Sequence, residues 1–71
     1  MKYYDRIRGL REDSDLTQIQ IAKMFNVGQK TVSNWENGRN EPPYDILIKY
    51  SLYFNVSIDY LLGVTENKER R

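Results

Sequence analysis

The sequence predicts an all-α fold: one compact domain of five short helices. Three observations carry that reading. Apolar residues recur at spacings of three and four, capping and stop residues punctuate those runs, and no alternating run bounded by turn signals suggests a strand. With 71 residues there is room for one domain only, and about 40% of the unfolded surface of so short a chain stays exposed after folding, so its core must pack efficiently. The domain is expected over residues 1–64, and residues 65–71, charged and without an apolar anchor, read as a flexible tail or the start of a linker.

Between Tyr3 and Glu12, the residues Tyr4, Ile7, Leu10 and Arg11 fall on one helical face, which predicts the first helix. Asp13, Ser14 and Asp15 form a polar loop. The run Thr17-Gln18-Ile19-Gln20 then has the form of a capping box, in which Thr17 accepts from the Gln20 amide while the Gln20 side chain returns to the Thr17 amide. A second helix starting there buries Ile21, Ala22 and Phe25, with Leu16 placed as a possible staple. Asn26 tolerates the left-handed conformation that ends a helix, so the chain turns at Asn26-Val27-Gly28. The helical pattern resumes with Thr31, Val32, Trp35 and Glu36 from about Gln29, behind a weak Gly28 cap, and Asn37-Gly38 stops it.

Pro42 and Pro43 predict a turn and a fourth helix with Pro43 at its first position, where a missing amide costs nothing. That helix presents Ile46, Leu47, Tyr50 and Phe54, flanked by Leu52 and Tyr53. After Asn55-Val56, Ser57 caps a helix of one or two turns containing Asp59, Tyr60, Leu61 and Leu62, and Gly63 ends it.

Composition narrows the chemistry. Cysteine and histidine are both absent, which removes disulfides, the usual zinc sites and the commonest general base together. No metal, cofactor or catalytic group is expected. Asp13 and Asp15 lie in a loop with no apolar pocket indicated, Asp59 is explained by its place near a helix start, and Ser33 has no base within reach. There is no run of 18 apolar residues, and MKYYDRIRG carries charges where a signal peptide needs an apolar stretch, so a cytoplasmic location is the default. Net charge is +1, but its distribution is uneven: residues 17–39 hold Lys23, Lys30 and Arg39 against Glu36 alone.

Residues 17–38 are the informative stretch. A short capped helix, a brief turn and a second short helix force a steep crossing, with Ala22 as the small residue where the axes approach and Val27 in the turn. Folding Val32 and Trp35 inward leaves Gln29, Lys30, Ser33, Asn34 and Asn37 outward. Amides pair bidentately with adenine and lysine donates to guanine in a groove wide enough for a helix, so this face suits base reading. The same residues also suit an ordinary solvated helix surface.

The chain resembles the lambda repressor and Cro family of helix-turn-helix domains from about Ile7 to Gly63. The matching stretches are IRGLRE at 7–12, LTQ at 16–18, IA at 21–22, Val27, TVSNWENG at 31–38, a proline at 42 or 43, and NVSIDYLLG at 55–63. The resemblance implies a five-helix lambda-repressor-like domain whose third helix enters the major groove of double-stranded DNA, commonly as a homodimer on a near-palindromic operator. It implies a transcriptional repressor, associated with the nucleoid through DNA, and not an enzyme. It places Gln29, Lys30, Ser33 and Asn34 at base-facing positions, and Thr17, Gln18, Asn37 and Arg39 near phosphates, with Gln18 also able to brace the recognition helix. Arg11 and Glu36 match a family pair linking helix 1 to the end of helix 3, with a structural role.

Two positions depart from the family pattern: Gly28 stands where Ser or Thr is frequent, and Asn26 where Gly is common. Ile19 sits at an often polar site, and packing beside helix 1, contact with a thymine methyl and plain exposure all remain open. Tyr53, Ile58 and Val64 are candidates for a dimer surface, since a two-fold dimer uses one patch twice. The rival readings are an antitoxin-like protein-interaction module on the same fold and a DNA architectural factor without sequence preference. A small protein partner or an additional C-terminal domain is compatible with either.

Overall fold

The structure, a computed structural model, describes residues 2–69. Helix α1 spans Tyr3–Asp13, α2 Gln18–Phe25, α3 Gln29–Glu36, α4 Tyr44–Phe54 and α5 Ile58–Leu61, with no strand among the described residues. None of these helices is long and apolar enough to cross a membrane.

The boundaries follow local chemistry. At the start of α2 the Gln20 amide donates to Thr17 Oγ1 at 3.1 Å, and the Thr17 amide donates to Gln20 Oε1 at 2.8 Å. This capping box satisfies two amides that the helix itself leaves without partners, and such a cap contributes about 1 kcal/mol. Asn26 closes α2 in the left-handed region at φ 58°, and the Val27 amide reaches back to the Ala22 carbonyl at 2.9 Å. Asn55 closes α4 by the same device at φ 55°, with the Val56 amide on the Ser51 carbonyl. Ser57 caps α5 through the Tyr60 amide. Gly38 is needed twice over: its φ is +82°, and a Cβ there meets the Tyr4 ring at 3.0 Å.

One boundary moves. Pro43 is the N-cap of α4 rather than its first helical residue, with ψ at 164°, and its carbonyl accepts from the Ile46 and Leu47 amides at 3.0 Å each. Proline's fixed φ suits both positions, so the sequence pattern alone does not separate them.

All five helices feed one core. Ile7 and Leu10 come from α1, Ile21, Ala22 and Phe25 from α2, Val32 and Trp35 from α3, Ile46 and Tyr50 from α4, Leu61 from α5, and Val56 from the loop between the last two. Burying an Ile or Leu side chain completely contributes about 1.5–3 kcal/mol, so Ile7, Ile21 and Leu61 are among the main anchors. Tyr50 is the aromatic hub. Its ring meets Phe25 edge-on at 4.8 Å and Trp35 at 6.5 Å, and stacks with Phe54 at 6.1 Å.

The Tyr50 hydroxyl is buried without a hydrogen-bond partner among the described residues. Burial first, and then the Glu36 carboxylate, push its pKa well above the usual tyrosine value, with Arg11 partly opposing. In the unfolded chain Tyr50 loses its proton near pH 10, while the folded chain still holds it. Stability contributed by this group is therefore present below pH 10 and is lost as pH rises beyond it. Tyr50→Phe keeps the ring contacts and removes a desolvated hydroxyl, whose unpaired burial costs about 1–3 kcal/mol. The expected result is an unchanged or higher melting temperature at pH 7 and a weaker loss of stability between pH 10 and 11, read by circular dichroism. A clear fall in melting temperature at pH 7 contradicts it.

Arg6 is 3% exposed although nothing in the apolar spacing marks it as inward. It donates through Nη1 to the carbonyls of Tyr60 and Thr65 at 3.1 Å and through Nη2 to Glu66 at 2.6 Å, and it lies 4.0 Å over the Tyr60 ring. The Ser57 amide and hydroxyl donate to the carbonyls of Lys68 and Asn67. Residues 65–68, which read as the beginning of a charged tail, thus follow α5 back along its own start. A buried guanidinium needs acceptors, and the Tyr60 and Thr65 carbonyls and the Glu66 carboxylate supply them. Arg70 and Arg71 lie outside the described residues.

Candidate nucleic-acid interface

Helices α2 and α3 are joined by Asn26, Val27 and Gly28 alone. Their close approach rests on Ala22, 4% exposed, and on Val27, half-buried beneath the turn. Val32, Trp35 and Glu36 form the inner face of α3. Of the five remaining positions, Gln29, Lys30, Ser33 and Asn34 recur at i, i+1, i+4 and i+5 and therefore share the outer face, and Thr31 is exposed as well. Gln29 and Lys30 are exposed, and Ser33 and Asn34 are half-buried. The structure brings these four together on one short helix, with Asn37 and Arg39 exposed just beyond its end.

The neighbourhood is fixed by a hydrogen-bonded chain of four side chains. Arg11 grips Glu36 with two donors, Nε to Oε2 at 2.7 Å and Nη2 to Oε1 at 2.8 Å, and its Nη1 donates to the Leu16 carbonyl at 2.9 Å. Glu36 is 2% exposed and Arg11 13% by side chain, so this is an ion pair withdrawn from water and satisfied on several sides. The hydrogen bond to Glu36 raises the Arg11 pKa despite the opposing effect of burial, and the guanidinium stays charged throughout the accessible range. Gln18 Nε2 donates to Glu36 Oε1 at 3.2 Å, and Gln29 Nε2 donates to Gln18 Oε1 at 2.6 Å. The resemblance implies that Gln18 braces α3, but no local pattern marks Glu36 as its partner, because the residues lie 18 apart and on different helices.

The Thr17 oxygen is engaged in the capping box, and Asn37 Oδ1 accepts from the Arg39 amide at 3.2 Å. Among the described residues no ion pair engages Lys23, Lys30 or Arg39. Ile19 is 56% exposed on the first turn of α2. Tyr53 and Val64 are exposed, whereas Ile58 is half-buried against the core. Among the described residues no three His, Cys, Asp or Glu side chains converge as metal ligands would.

Comparison with known proteins gives consistent matches. A family model described as helix-turn-helix matches residues 7–61. The HTH-type transcriptional regulator ImmR of Bacillus subtilis (strain 168) is 39% identical over 61 residues, which cover 86% of this chain and 48% of ImmR. The HTH-type transcriptional activator BcrR of Enterococcus faecalis is 35% identical over 66 residues, covering 93% of this chain and 32% of BcrR. The chain thus spans half the length or less of both curated relatives. Among solved structures, the P22 c2 repressor protein in complex with a synthetic operator superposes with a TM-score of 0.83 at 31% identity, covering 92% of this chain and 98% of that one.

Proposed function

The chain belongs to the helix-turn-helix family, within its lambda repressor and Cro group, and on that premise we propose that it binds double-stranded DNA sequence-specifically as a transcriptional repressor. The observation that carries this reading is the outer face of α3. Gln29, Lys30, Ser33 and Asn34 project from a helix whose other side is anchored by Val32, Trp35 and Glu36. A helix with side chains is about 10–12 Å across, and the major groove is about 12 Å wide, so α3 fits and its polar face meets base edges.

Phosphate contacts supply position and most of the affinity. Thr17 and Gln18 open α2 and Asn37 and Arg39 follow the end of α3, and these four are the phosphate contacts of this reading. The Gln18 and Ile19 amides, which open α2 ahead of the capped Gln20 amide, have no carbonyl within the helix to donate to and add donors on the Thr17 side. On a two-fold operator the protein acts as a homodimer, with recognition helices about 34 Å apart and Tyr53 and Val64 as the exposed members of the candidate dimer patch. The setting is cytoplasmic, on the nucleoid.

Selection from randomised duplexes tests the proposal, with an inverted repeat as the expected product. On the selected site Gln29→Ala is expected to lose about 1–3 kcal/mol with little change on random DNA. Arg39→Ala is expected to weaken both and to reduce the slope of log K against log salt by about 0.9. Equal affinity for all duplexes overturns sequence-specific reading in favour of an architectural role. Absence of binding at low salt leaves a protein-interaction module, for which the exposed Ile48, Leu52 and Tyr53 on α4 are the contact surface.

A further inference from the structure

The carboxylate of Glu36 does more than neutralise Arg11. A carboxylate only accepts hydrogen bonds, so the end of the Gln18 amide that faces it must be the nitrogen, as observed at 3.2 Å. Gln18 Oε1 is thereby turned toward Gln29, and an oxygen there only accepts, so Gln29 must donate, as its Nε2 does at 2.6 Å. An amide carries two N–H groups and one carbonyl oxygen. With one N–H of Gln29 committed to Gln18, what remains is one N–H and the oxygen Oε1.

We propose that Glu36 is a specificity-positioning residue: acting through Gln18, it fixes the polarity of the Gln29 amide, so that Gln29 presents a donor and an acceptor in a set order to one base pair. This rests on the reading of α3 as the base-reading helix. A donor beside an acceptor is the complement of adenine, whose major-groove edge carries the N7 acceptor and the N6 amino donor. Guanine, with two acceptors, satisfies the Gln29 N–H and leaves Oε1 facing its O6. A free glutamine turns its amide over at little cost and accommodates more than one base. Here that turn breaks the hydrogen bond to Gln18 or forces Gln18 to aim its own oxygen at a buried carboxylate, so discrimination against guanine is built into the interior of the domain.

The test uses the duplex recovered by selection and its single-base-pair variants. The position read by Gln29 is the one at which Gln29→Ala removes discrimination. The double variant Arg11→Met with Glu36→Leu replaces the ion pair by apolar groups and leaves Gln18 and Gln29 intact. It is expected to bind the selected site with discrimination at that position reduced at least about fivefold, and with discrimination at other positions retained. Gln18→Met, which leaves the Arg11–Glu36 pair in place, keeps the test decisive should the double variant fold poorly. It is expected to weaken binding to every duplex through a lost phosphate contact and, in addition, to lose the same discrimination at the same position. On a Gln29→Ala background Gln18→Met should bring no further loss of discrimination. If Gln18→Met weakens all duplexes equally and leaves the ratio at that position unchanged, the polarity relay is overturned while base reading by Gln29 stands. If Gln29→Ala changes discrimination nowhere, base reading by Gln29 falls, and the relay with it.

Discussion

Arg11→Met is expected to destabilise the domain by about 3–5 kcal/mol, because Glu36 stays buried with its two strongest donors gone and only Gln18 left to bond it. For a chain of this length, total stability is on the order of 4–11 kcal/mol, so a loss of that size removes roughly a quarter or more of it. At about 4–8 °C per kcal/mol, the melting temperature should fall by roughly 12–40 °C, measured by circular dichroism. The companion Arg11→Met with Glu36→Leu should recover most of the loss, since replacing a buried pair by apolar residues is often neutral or stabilising. A drop below about 1 kcal/mol for Arg11→Met alone means that water reaches Glu36 and the pair behaves as a surface contact.

Trp35→Ala should cost a comparable amount, about 3–5 kcal/mol, through the cavity left between α3 and the Tyr50 ring. The consequence differs from that of losing Arg11. Trp35 holds the inner face of α3, so its removal loosens the helix that carries Gln29, Lys30, Ser33 and Asn34. Affinity for a selected duplex should fall with stability, and saturating duplex should restore part of the melting temperature, because only the folded state binds. Trp35→Phe retains a ring and should lose distinctly less. Equal losses for the two variants would mean that the indole's volume is not what anchors α3.

Much of the frame was legible because its determinants are local. The Thr17 capping box, the left-handed Asn26 and the Asn37-Gly38 stop are each written within a few residues, and the structure realises all three. The apolar repeats named the core residues of α2 and α3, because a helix with one buried face repeats that face every three or four positions. Pro43 slipped by one place since proline fits on either side of a helix start. Arg6 escaped notice for a different reason: a buried guanidinium is recognisable only from its acceptors, and those are carbonyls and a carboxylate more than 50 residues away.

From its sequence alone this protein was determined to be five helices with a helix-turn-helix at 17–38, and the polar face of α3 could be named, because caps, stops and periodicity act over one or two turns. The resemblance also implied the Arg11–Glu36 pair and a bracing role for Gln18; what tertiary structure alone decided is that Glu36, Gln18 and Gln29 join in one hydrogen-bonded chain. The chain from Arg11 through Glu36 and Gln18 to Gln29 joins three helices, and residues 65–68 are held by Arg6 of α1 at Thr65 and Glu66 and by Ser57 at Asn67 and Lys68. Hydrogen bonds between distant segments depend on where the packed core places each donor and acceptor, and the packing that sets those positions exists only once all five helices have assembled.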